Sequence, residues 1–566
     1  MAKGRQSVRL RQGQRKAADD GVNNDAEDAV AKPDEKPFST SNIYKVLGLT
    51  LPLLTIAALN SVVSQDVLSP VYGRLPASVN HAEAITATVL LGFIWRHFFG
   101  GAHEWSILPY LTLWAFYKPV LDLYLMQYSG KLGPILGCII TGFLGCHTLI
   151  IPSAYAVAHA LEVLNLQDRL GAIASYAIAR YMPTAAVWAP DIFTPVKLQY
   201  LMGLTYGLLS PSKPYWMFTL GLPSLIHAFL ANPHFDSPRN LGVLNRDLAV
   251  HNWTVLDRQW SSTGYVSVAE SLDLGYRVLR CDHSLLGGEW LLTDERRQKE
   301  GWQVNEPIYA VFQMLEAVRL IIVEPAIFDS SAQALVIGLG VGTAPKAMIA
   351  HGINTTTVEL DPAVHHFAKK YFELPDEHTV VLQDAVSWAA AASATQTQHY
   401  EYIIHDVFTG GAEPLSLFTD TFVGHLRSLL TANGVVAINY AGRLELDLTK
   451  RVLSTIYNTF DGHCKVFRDA PKPDTEDFMN LIIFCRNSPG SISFREPTAS
   501  DYLGSKSRKH YLLPKSEYEI PFIHNDTDAV LTRDKIGQYR KDQEDSAIGH
   551  WYIMRKVLPD VVWEMW

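Results

Sequence analysis

Three glycines, Gly338, Gly340 and Gly342, lie between a predicted strand and a predicted helix. The strand is the apolar run 334–337, which is typical of a buried parallel strand, and the helix is predicted to begin near Thr343. Glycine lets the backbone approach a ligand closely, and the first turn of a helix offers N–H groups that have no partner within the helix. The pattern therefore predicts a loop that lies against a bound ligand.

Acidic residues follow the next three predicted strands of this region. In chain order, the strands and their acids are 356–358 with Glu359, 379–382 with Asp384, and 400–404 with Asp406. In an open parallel sheet the ligand lies outside the carboxyl ends of the strands, where an acid can accept hydrogen bonds from ribose hydroxyls. We therefore expect Glu359 to hold a ribose. We expect Asp406 to act as a general base or to contact a substrate amine, with a structural turn cap as the alternative.

Four motifs of this region resemble those of the spermidine synthase family, whose members have the class I S-adenosylmethionine-dependent transferase fold. The motifs are VIGLGVG (336–342), VELDPAV (358–364), QDAVSW (383–388) and YEYIIHDVFTGG (400–411). The segment 264–292 is similar to the small N-terminal β-domain of that family. The resemblance implies an α/β fold with a Rossmann-like parallel sheet. It also implies a nucleoside cofactor, either S-adenosylmethionine or decarboxylated S-adenosylmethionine, and no metal.

The resemblance also assigns roles to single residues. The residues that it implies for cofactor binding are Gly338, Gly340, Gly342, Glu359, Asp361, Asp384 and Ala385. Within that set, Asp384 and Ala385 are expected to meet the adenine edge. Asp406 and Tyr309 are expected to face the substrate as catalytic residues, and a core tyrosine is the alternative for Tyr309.

The chain departs from the aminopropyltransferase pattern at two positions. Val341 stands where the family has an aspartate inside the glycine loop, and Thr409 stands where it has a second acid after Asp406. Substrate amines are cations that bind to carboxylates, so the loss of two acids weakens the case for a polyamine. Methyl transfer to a small-molecule acceptor, with amines among the candidates, is slightly favoured. A polyamine aminopropyltransferase and a non-catalytic nucleoside-binding membrane scaffold remain as alternatives.

Residues 41–235 have the composition of a transmembrane domain. Apolar stretches that are each long enough to cross a hydrocarbon core of about 30 Å recur at about 43–64, 84–100, 106–126, 132–160, 169–189 and 197–231. They predict an α-helical transmembrane bundle of six helices, with seven as the alternative. Basic residues between Arg5 and Lys16 favour a cytosolic N-terminus, and six spans return the catalytic domain to the cytosol. The sequence thus predicts a multi-pass integral membrane protein with the lipid bilayer as a partner.

Composition divides the remainder of the chain. The predicted segments are a disordered cytosolic tail (1–40), a linker (236–262), the S-adenosylmethionine-binding domain (263–490) and a C-terminal extension that packs on it (491–566). The chain of 566 residues has a net charge of −9 and no long basic stripe, which argues against a nucleic-acid partner. A homodimer is left open.

Two further expectations concern cysteines and buried charge. The five cysteines are scattered without a CxxC pair, so neither a disulfide framework nor a zinc site is implied. Lys118 and Asp122 lie four residues apart in the third predicted span. We expect them to form an internal ion pair, with a transport path as the alternative.

Overall fold

The computed structural model describes residues 40–99, 108–142, 177, 193–210, 215–395, 398–408, 411–471, 478–521 and 530–566. The predicted tail up to residue 39, much of the predicted spans 132–160 and 169–189, and Thr409 lie outside the described residues. The described residues before 250 are mainly helical, and we call them the helical unit. Its helices are α1 (Thr40–Tyr72), α2 (Arg74–Ser78), α3 (His81–Phe99), α4 (Leu108–Met126), α5 (Ser129–Gly142), α6 (Pro195–Leu209), α7 (Tyr215–Leu230) and α8 (Pro238–Ala249).

The prediction of a membrane domain is wrong for the part of the chain that the structure describes. Within those ranges, no helix is long and apolar enough to cross a membrane. A spanning helix needs about 20 predominantly apolar residues, whereas α6, which is bounded by its N-cap Thr194 and its C-cap Ser210, contains 15 residues. The longer α4 carries Lys118 and Asp122 near its middle. This finding also overturns the integral, multi-pass localisation, the bilayer partner and the topological argument for a cytosolic catalytic domain.

The two charges of α4 form an ion pair in the interior of the helical unit. Lys118 Nζ lies 2.5 Å from Asp122 Oδ2, and both side chains are 1% exposed. Gln199 of α6 donates from Nε2 to the same carboxylate oxygen at 3.1 Å. The ion pair therefore links α4 to α6, which is typical of a structural contact.

A five-stranded antiparallel sheet occupies the segment that was expected to form a small β-domain. Its strands, in sheet order, are β1 (Trp253–Ser261), β2 (Gly264–Ser271), β3 (Tyr276–Cys281), β4 (Ser284–Trp290) and β5 (Glu306–Pro307). Val266, Val268 and Leu279 are buried in one apolar cluster with Leu339 and Val341 of the glycine loop. The small sheet therefore packs against the glycine loop and stabilises its position.

An eight-stranded sheet forms the centre of the catalytic domain, with the strand order β13-β11-β12-β10-β9-β6-β7-β8. Its strands are β6 (Gln333–Ile337), β7 (Asn354–Glu359), β8 (Thr379–Leu382), β9 (Tyr400–His405), β10 (Leu430–Gly442), β11 (Cys464–Arg468), β12 (Met479–Arg486) and β13 (Glu519–Ile520). From β10 to β8 the neighbouring strands are parallel. The α/β, class I methyltransferase-like part of the predicted fold is thus observed. The strands β6 to β9 lie within two residues of their predicted bounds, whereas β10 extends beyond the apolar run 435–438 at both ends.

Short helices connect these strands and complete the chain. They are α9 (Ala310–Leu315), α10 (Thr343–Ala350), α11 (Pro362–Tyr371), α12 (Ala385–Thr395), α13 (Asp420–Leu429), α14 (Asp447–Thr459), α15 (Lys506–Tyr511), α16 (Arg540–Val557) and α17 (Asp560–Glu564). The predicted order of strand, glycine loop, helix and strand is therefore present from β6 to β7.

A disulfide joins two of the scattered cysteines. Cys464 of β11 and Cys485 of β12 are direct partners across the antiparallel pair and are bonded to each other. Their spacing along the chain carries no recognisable pattern, because only the register of the two strands brings them together. Cys138 and Cys281 are buried free thiols.

The C-terminal residues connect the helical unit to the catalytic domain. Trp566 is 1% exposed, stacks on His234 with ring centroids 4.2 Å apart, and donates from its ring N–H to Met126 Sδ at 3.5 Å. Arg280 of β3 donates to one backbone oxygen of α1 and to one of α17. The extension thus packs on the helical unit as well as on the domain for which it was predicted.

Candidate active site

A cavity of about 400 Å³ lies at the carboxyl ends of β6, β7, β9 and β10. The glycine loop and the end of β7 form one half of its wall, which we call the cofactor half. The ends of β9, β10 and β11 and the side chains of α16 form the other half, which we call the acceptor half. One continuous cavity therefore joins the two groups of residues that a transfer reaction must bring together.

Two glycines give the cofactor half its shape. Gly338 and Gly340 line the cavity and have φ angles of +89° and +55°. A Cβ atom at Gly338 would lie 2.1 Å from the carbonyl oxygen of Asp406, and one at Gly340 would lie 2.3 Å from that of Leu286. Any side chain would therefore collide with backbone, and the loop keeps open a cradle that suits a nucleoside cofactor.

Glu359 ends β7 at the wall of the cofactor half. Its Oε2 accepts from the backbone N–H of Leu339 at 3.0 Å, and its Oε1 accepts from that of Asp361 at 2.8 Å. Burial raises the pKa of this carboxyl to about 7, with a further rise from the nearby Asp361. Each carboxylate oxygen still has a free lone pair after accepting one hydrogen bond. Glu359 can therefore accept hydroxyl donors from a ribose while it holds the glycine loop.

Four of the predicted cofactor residues lie outside the wall of the cavity in the described chain: Gly342, Asp361, Asp384 and Ala385. Asp361 is fully buried and accepts from Ser261, from Thr263 and from the first turn of α11. Asp384 is exposed and caps α12 through Ser387. Both aspartates thus have structural partners, which accounts for their position after a strand without any ligand.

Asp406 lies between the two halves of the cavity. It is joined to Asn439 of β10, whose Nδ2 donates to Asp406 Oδ1 at 2.9 Å. Burial raises the pKa of Asp406 to about 6, while the hydrogen bond from Asn439 favours the ionised form. Asn439 Oδ1 is buried and has no partner among the described residues. The pair therefore presents acceptor oxygens to whatever enters the acceptor half.

Tyr309 also lines the cavity, as the sequence predicted for a substrate-facing residue. Its ring packs edge-on against Phe312, with centroids 5.9 Å apart. Its hydroxyl is buried, has no partner in the described part of the chain, and has a raised pKa because of that burial. The ring of Tyr309 packs in the apolar core, and its hydroxyl is available for a hydrogen bond to a ligand.

Sequence reasoning missed most of the acceptor half. Its remaining polar and aromatic lining includes Phe408, Arg468, Asp469, Phe478, Asn480 and His550. Asn439 ends the apolar run 435–438, which is the same signal that identified Asp406. The residues of β11 and α16 gave no comparable signal, because they reach the cavity only through the antiparallel edge of the sheet and the returning C-terminal helix.

Val341 does not take the place that its position in the motif suggested. The side chain is 2% exposed and packs beneath the loop, where it is the nearest group to Gly287. An aspartate there would be buried among apolar residues rather than aimed into the cofactor half. The absence of an aspartate from the glycine loop is therefore weaker evidence about which form of the cofactor binds than the sequence analysis assumed.

The chain is similar over nearly its whole length to a curated methyltransferase. The N-terminal histidine N-methyltransferase of Emericella nidulans is 37% identical over 551 residues, which cover 92% of this chain and 98% of that protein. A probable polyamine aminopropyl transferase of Bifidobacterium longum is 28% identical over 117 residues, 20% of this chain and 25% of that protein. No family model matches the chain.

Among solved structures, a probable spermidine synthase from Corynebacterium glutamicum aligns with 16% identity and a TM-score of 0.34, over 45% of this chain and 85% of that one. The similarity to the methyltransferase overturns the assignment to a spermidine synthase-like family, and the lack of a membrane-spanning helix among the described residues leaves the fused membrane domain unsupported. The aminopropyl transferase similarity is confined to a fifth of the chain, whereas the similarity to the methyltransferase includes the helical unit.

Proposed function

Since this chain belongs to the N-terminal histidine N-methyltransferase family, we propose that it transfers a methyl group to a ring nitrogen of a histidine at the N-terminus of a peptide or protein. S-adenosylmethionine is the cofactor, as predicted. The observation that carries the proposal is the 37% identity across 98% of the relative. The small-molecule acceptor of the sequence analysis is thereby replaced by the first residue of a polypeptide.

The cofactor half fits S-adenosylmethionine through features of this chain. The cradle at Gly338 and Gly340 has no room for a side chain, and Glu359 offers carboxylate oxygens to the ribose. Bound there, the cofactor supplies an electrophilic methyl group, which the nitrogen lone pair of the acceptor takes as the S–C bond breaks and S-adenosylhomocysteine leaves. In this proposal Asp384 and Ala385 have no cofactor contact.

Asp406 and Asn439 orient the acceptor ring. A neutral imidazole carries one N–H and one bare nitrogen, and the partner of the N–H decides which nitrogen is bare. The pair offers only acceptor oxygens to the cavity, namely those of the carboxylate and Asn439 Oδ1. It therefore holds the N–H and leaves the other nitrogen to face the cofactor half. The Asp406 carboxylate stabilises the positive charge that develops on the ring and accepts its N–H proton.

The test uses the purified full chain with S-adenosylmethionine and synthetic peptides. Peptides that begin with histidine should gain one methyl group on the imidazole, located by tandem mass spectrometry. Peptides with alanine first, or with histidine only at an internal position, should remain unmodified. Decarboxylated S-adenosylmethionine with putrescine serves as the competing reaction.

Asp406→Asn keeps the shape of the side chain and removes its charge, so we expect kcat to fall by about a hundredfold or more. Asp461→Asn is the matched control, because Asp461 is an exposed partner of Arg427 on the surface. Release of methylthioadenosine with putrescine, and no methylated peptide, would show that the proposed reaction is wrong.

A further inference from the structure

Two oppositely charged neighbours, Arg468 and Asp469, line the acceptor half at the end of β11. Burial raises the pKa of Asp469, and Asn480 of β12 donates from Nδ2 to Asp469 Oδ2 at 2.8 Å. Arg468 donates from Nη2 to the backbone oxygen of Glu517 at 3.5 Å, while its Nε is buried and has no hydrogen-bond partner among the described residues. The reaction proposed above uses neither charge.

The register of the sheet places these charges at a defined separation from the reacting centre. Asn480 lies directly opposite Ala441 of β10, two residues beyond Asn439 on the same strand. β12 lies between β10 and β11. Neighbouring strands are about 4.8 Å apart, so the end of β11 is about 10 Å from β10. An amino acid whose side-chain ring binds at Asn439 can therefore place its backbone nitrogen at Asp469.

We infer that Asp469 binds the α-ammonium group of the acceptor residue and that Arg468 faces its first peptide carbonyl. The inference rests on the proposed function and adds the reason why the target histidine must be the first residue. An ammonium group brings three donors and a positive charge to a carboxylate that is partly shielded from water. The neighbouring guanidinium supplies donors to the carbonyl that follows the ammonium along the peptide.

Charge-assisted hydrogen bonds of this kind set the expected size of the effect. Acetylation of the peptide N-terminus removes the positive charge and leaves the half-buried Asp469 without a cation. We expect acetylation to lower kcat/KM of the wild type by about tenfold to a hundredfold, mainly through KM. An internal histidine meets the same penalty, because its backbone nitrogen is an uncharged amide.

The experiment compares a free and an acetylated histidine peptide on the wild-type full chain and on Asp469→Asn. The asparagine keeps the hydrogen-bonding shape at Asn480 and removes the charge. We expect the ratio of kcat/KM between the two peptides to collapse towards one in Asp469→Asn. Asp461→Asn, an exposed surface change, should keep the wild-type ratio. Melting temperatures of the variants report whether the fold is intact.

Peptide binding to the full chain saturated with S-adenosylhomocysteine provides a readout that does not depend on turnover. Free and acetylated peptides should differ in Kd by the same factor in the wild type, and this difference should disappear in Asp469→Asn. Methylation of the peptide with an unchanged ratio in Asp469→Asn would overturn the inference and keep the proposed function. Charge-dependent binding at Asp469 without methylation would support the inference and refute the proposed function.

Discussion

Glu359 should make cofactor binding depend on pH in a way that a single substitution abolishes. Burial raises the pKa of this carboxyl from the ordinary 4.5 to about 7. Ribose hydroxyls are donors, so they bind the ionised form. At pH 6, one unit below this pKa, about a tenth of the molecules carry the ionised carboxylate. The affinity for S-adenosylmethionine should therefore be about tenfold weaker at pH 6 than at pH 8.

The same shift has the opposite effect on the folded protein without cofactor. Because the folded pKa lies above the unfolded value, the contribution of Glu359 to stability is fully present below about pH 4.5 and is lost as the pH rises through about 7. Binding of the cofactor supplies partners for the ionised carboxylate. The increase in Tm on adding S-adenosylhomocysteine should thus be larger at pH 8 than at pH 6.

The assay is calorimetric titration of the full chain with S-adenosylhomocysteine between pH 5.5 and 8.5. Glu359→Gln should bind about tenfold to a hundredfold more weakly at pH 8, because one charge-assisted contact is worth about 1.5–3 kcal/mol. The affinity of the variant should vary little with pH. Glu377→Gln, which changes an exposed glutamate on the same domain, is the control. A wild-type affinity that stays flat from pH 6 to 8 would refute the role assigned to Glu359.

Three further predictions concern the loop, the acceptor and the C-terminus. Gly340→Ala should weaken cofactor binding at least about tenfold, because the new Cβ would collide with the Leu286 carbonyl. Gly352→Ala is the control, because Gly352 also has a positive φ but open space around it, and it should leave the affinity unchanged. Calorimetric titration with S-adenosylhomocysteine measures both affinities. Burial raises the pKa of Asp406 to about 6. At saturating S-adenosylmethionine, which removes the contribution of Glu359, log kcat/KM of the wild type for the peptide should therefore fall with a slope approaching 2 on the acid side, one unit of it from the substrate imidazole. Asp406→Asn should keep a slope of 1, and equal slopes would contradict the assignment. Trp566→Ala should lower the free energy of unfolding by about 3–5 kcal/mol in a denaturant titration, and a loss below 1 kcal/mol would show that the packing is not maintained in solution.

The cofactor half could be predicted because its signals are local. Gly338 and Gly340 lie within three residues of the end of one strand, and Glu359 ends the next strand. Residues that are close to a strand end in the sequence are therefore also close together in the site. Asp361 and Asp384 carried the same local signal, and in the structure each accepts a backbone N–H in the first turn of a helix. An acidic residue at the end of a strand thus predicts where the side chain lies in the sheet. Whether that side chain binds a ligand or caps a helix depends on its hydrogen-bond partners in the fold.

The acceptor half could not be predicted because its residues meet only in three dimensions. Asp469 follows β11 and Asn480 lies in its antiparallel neighbour β12, and the register of these strands is set by side-chain packing. His550 comes from a helix that returns to the cavity from the C-terminal part of the chain. The membrane prediction failed for a related reason. The apolar composition of a stretch such as 197–231 does not record where its helices end, and α6 at its start contains only 15 residues.

The burial of Trp566 determines what happens if the catalytic domain is isolated. Removal of the helical unit takes away His234 and Met126, which cover this ring, and the α1 carbonyl that Arg280 binds. A fragment that begins after residue 249 would therefore expose the indole of Trp566 to water, and Arg280 would keep its α17 acceptor but lose the one in α1. In the same fragment α16 would lose the α1 carbonyl that its Trp551 binds. Because α16 lines the acceptor half, a domain cut free in this way would lose the shape of its acceptor site while its glycine loop stayed intact.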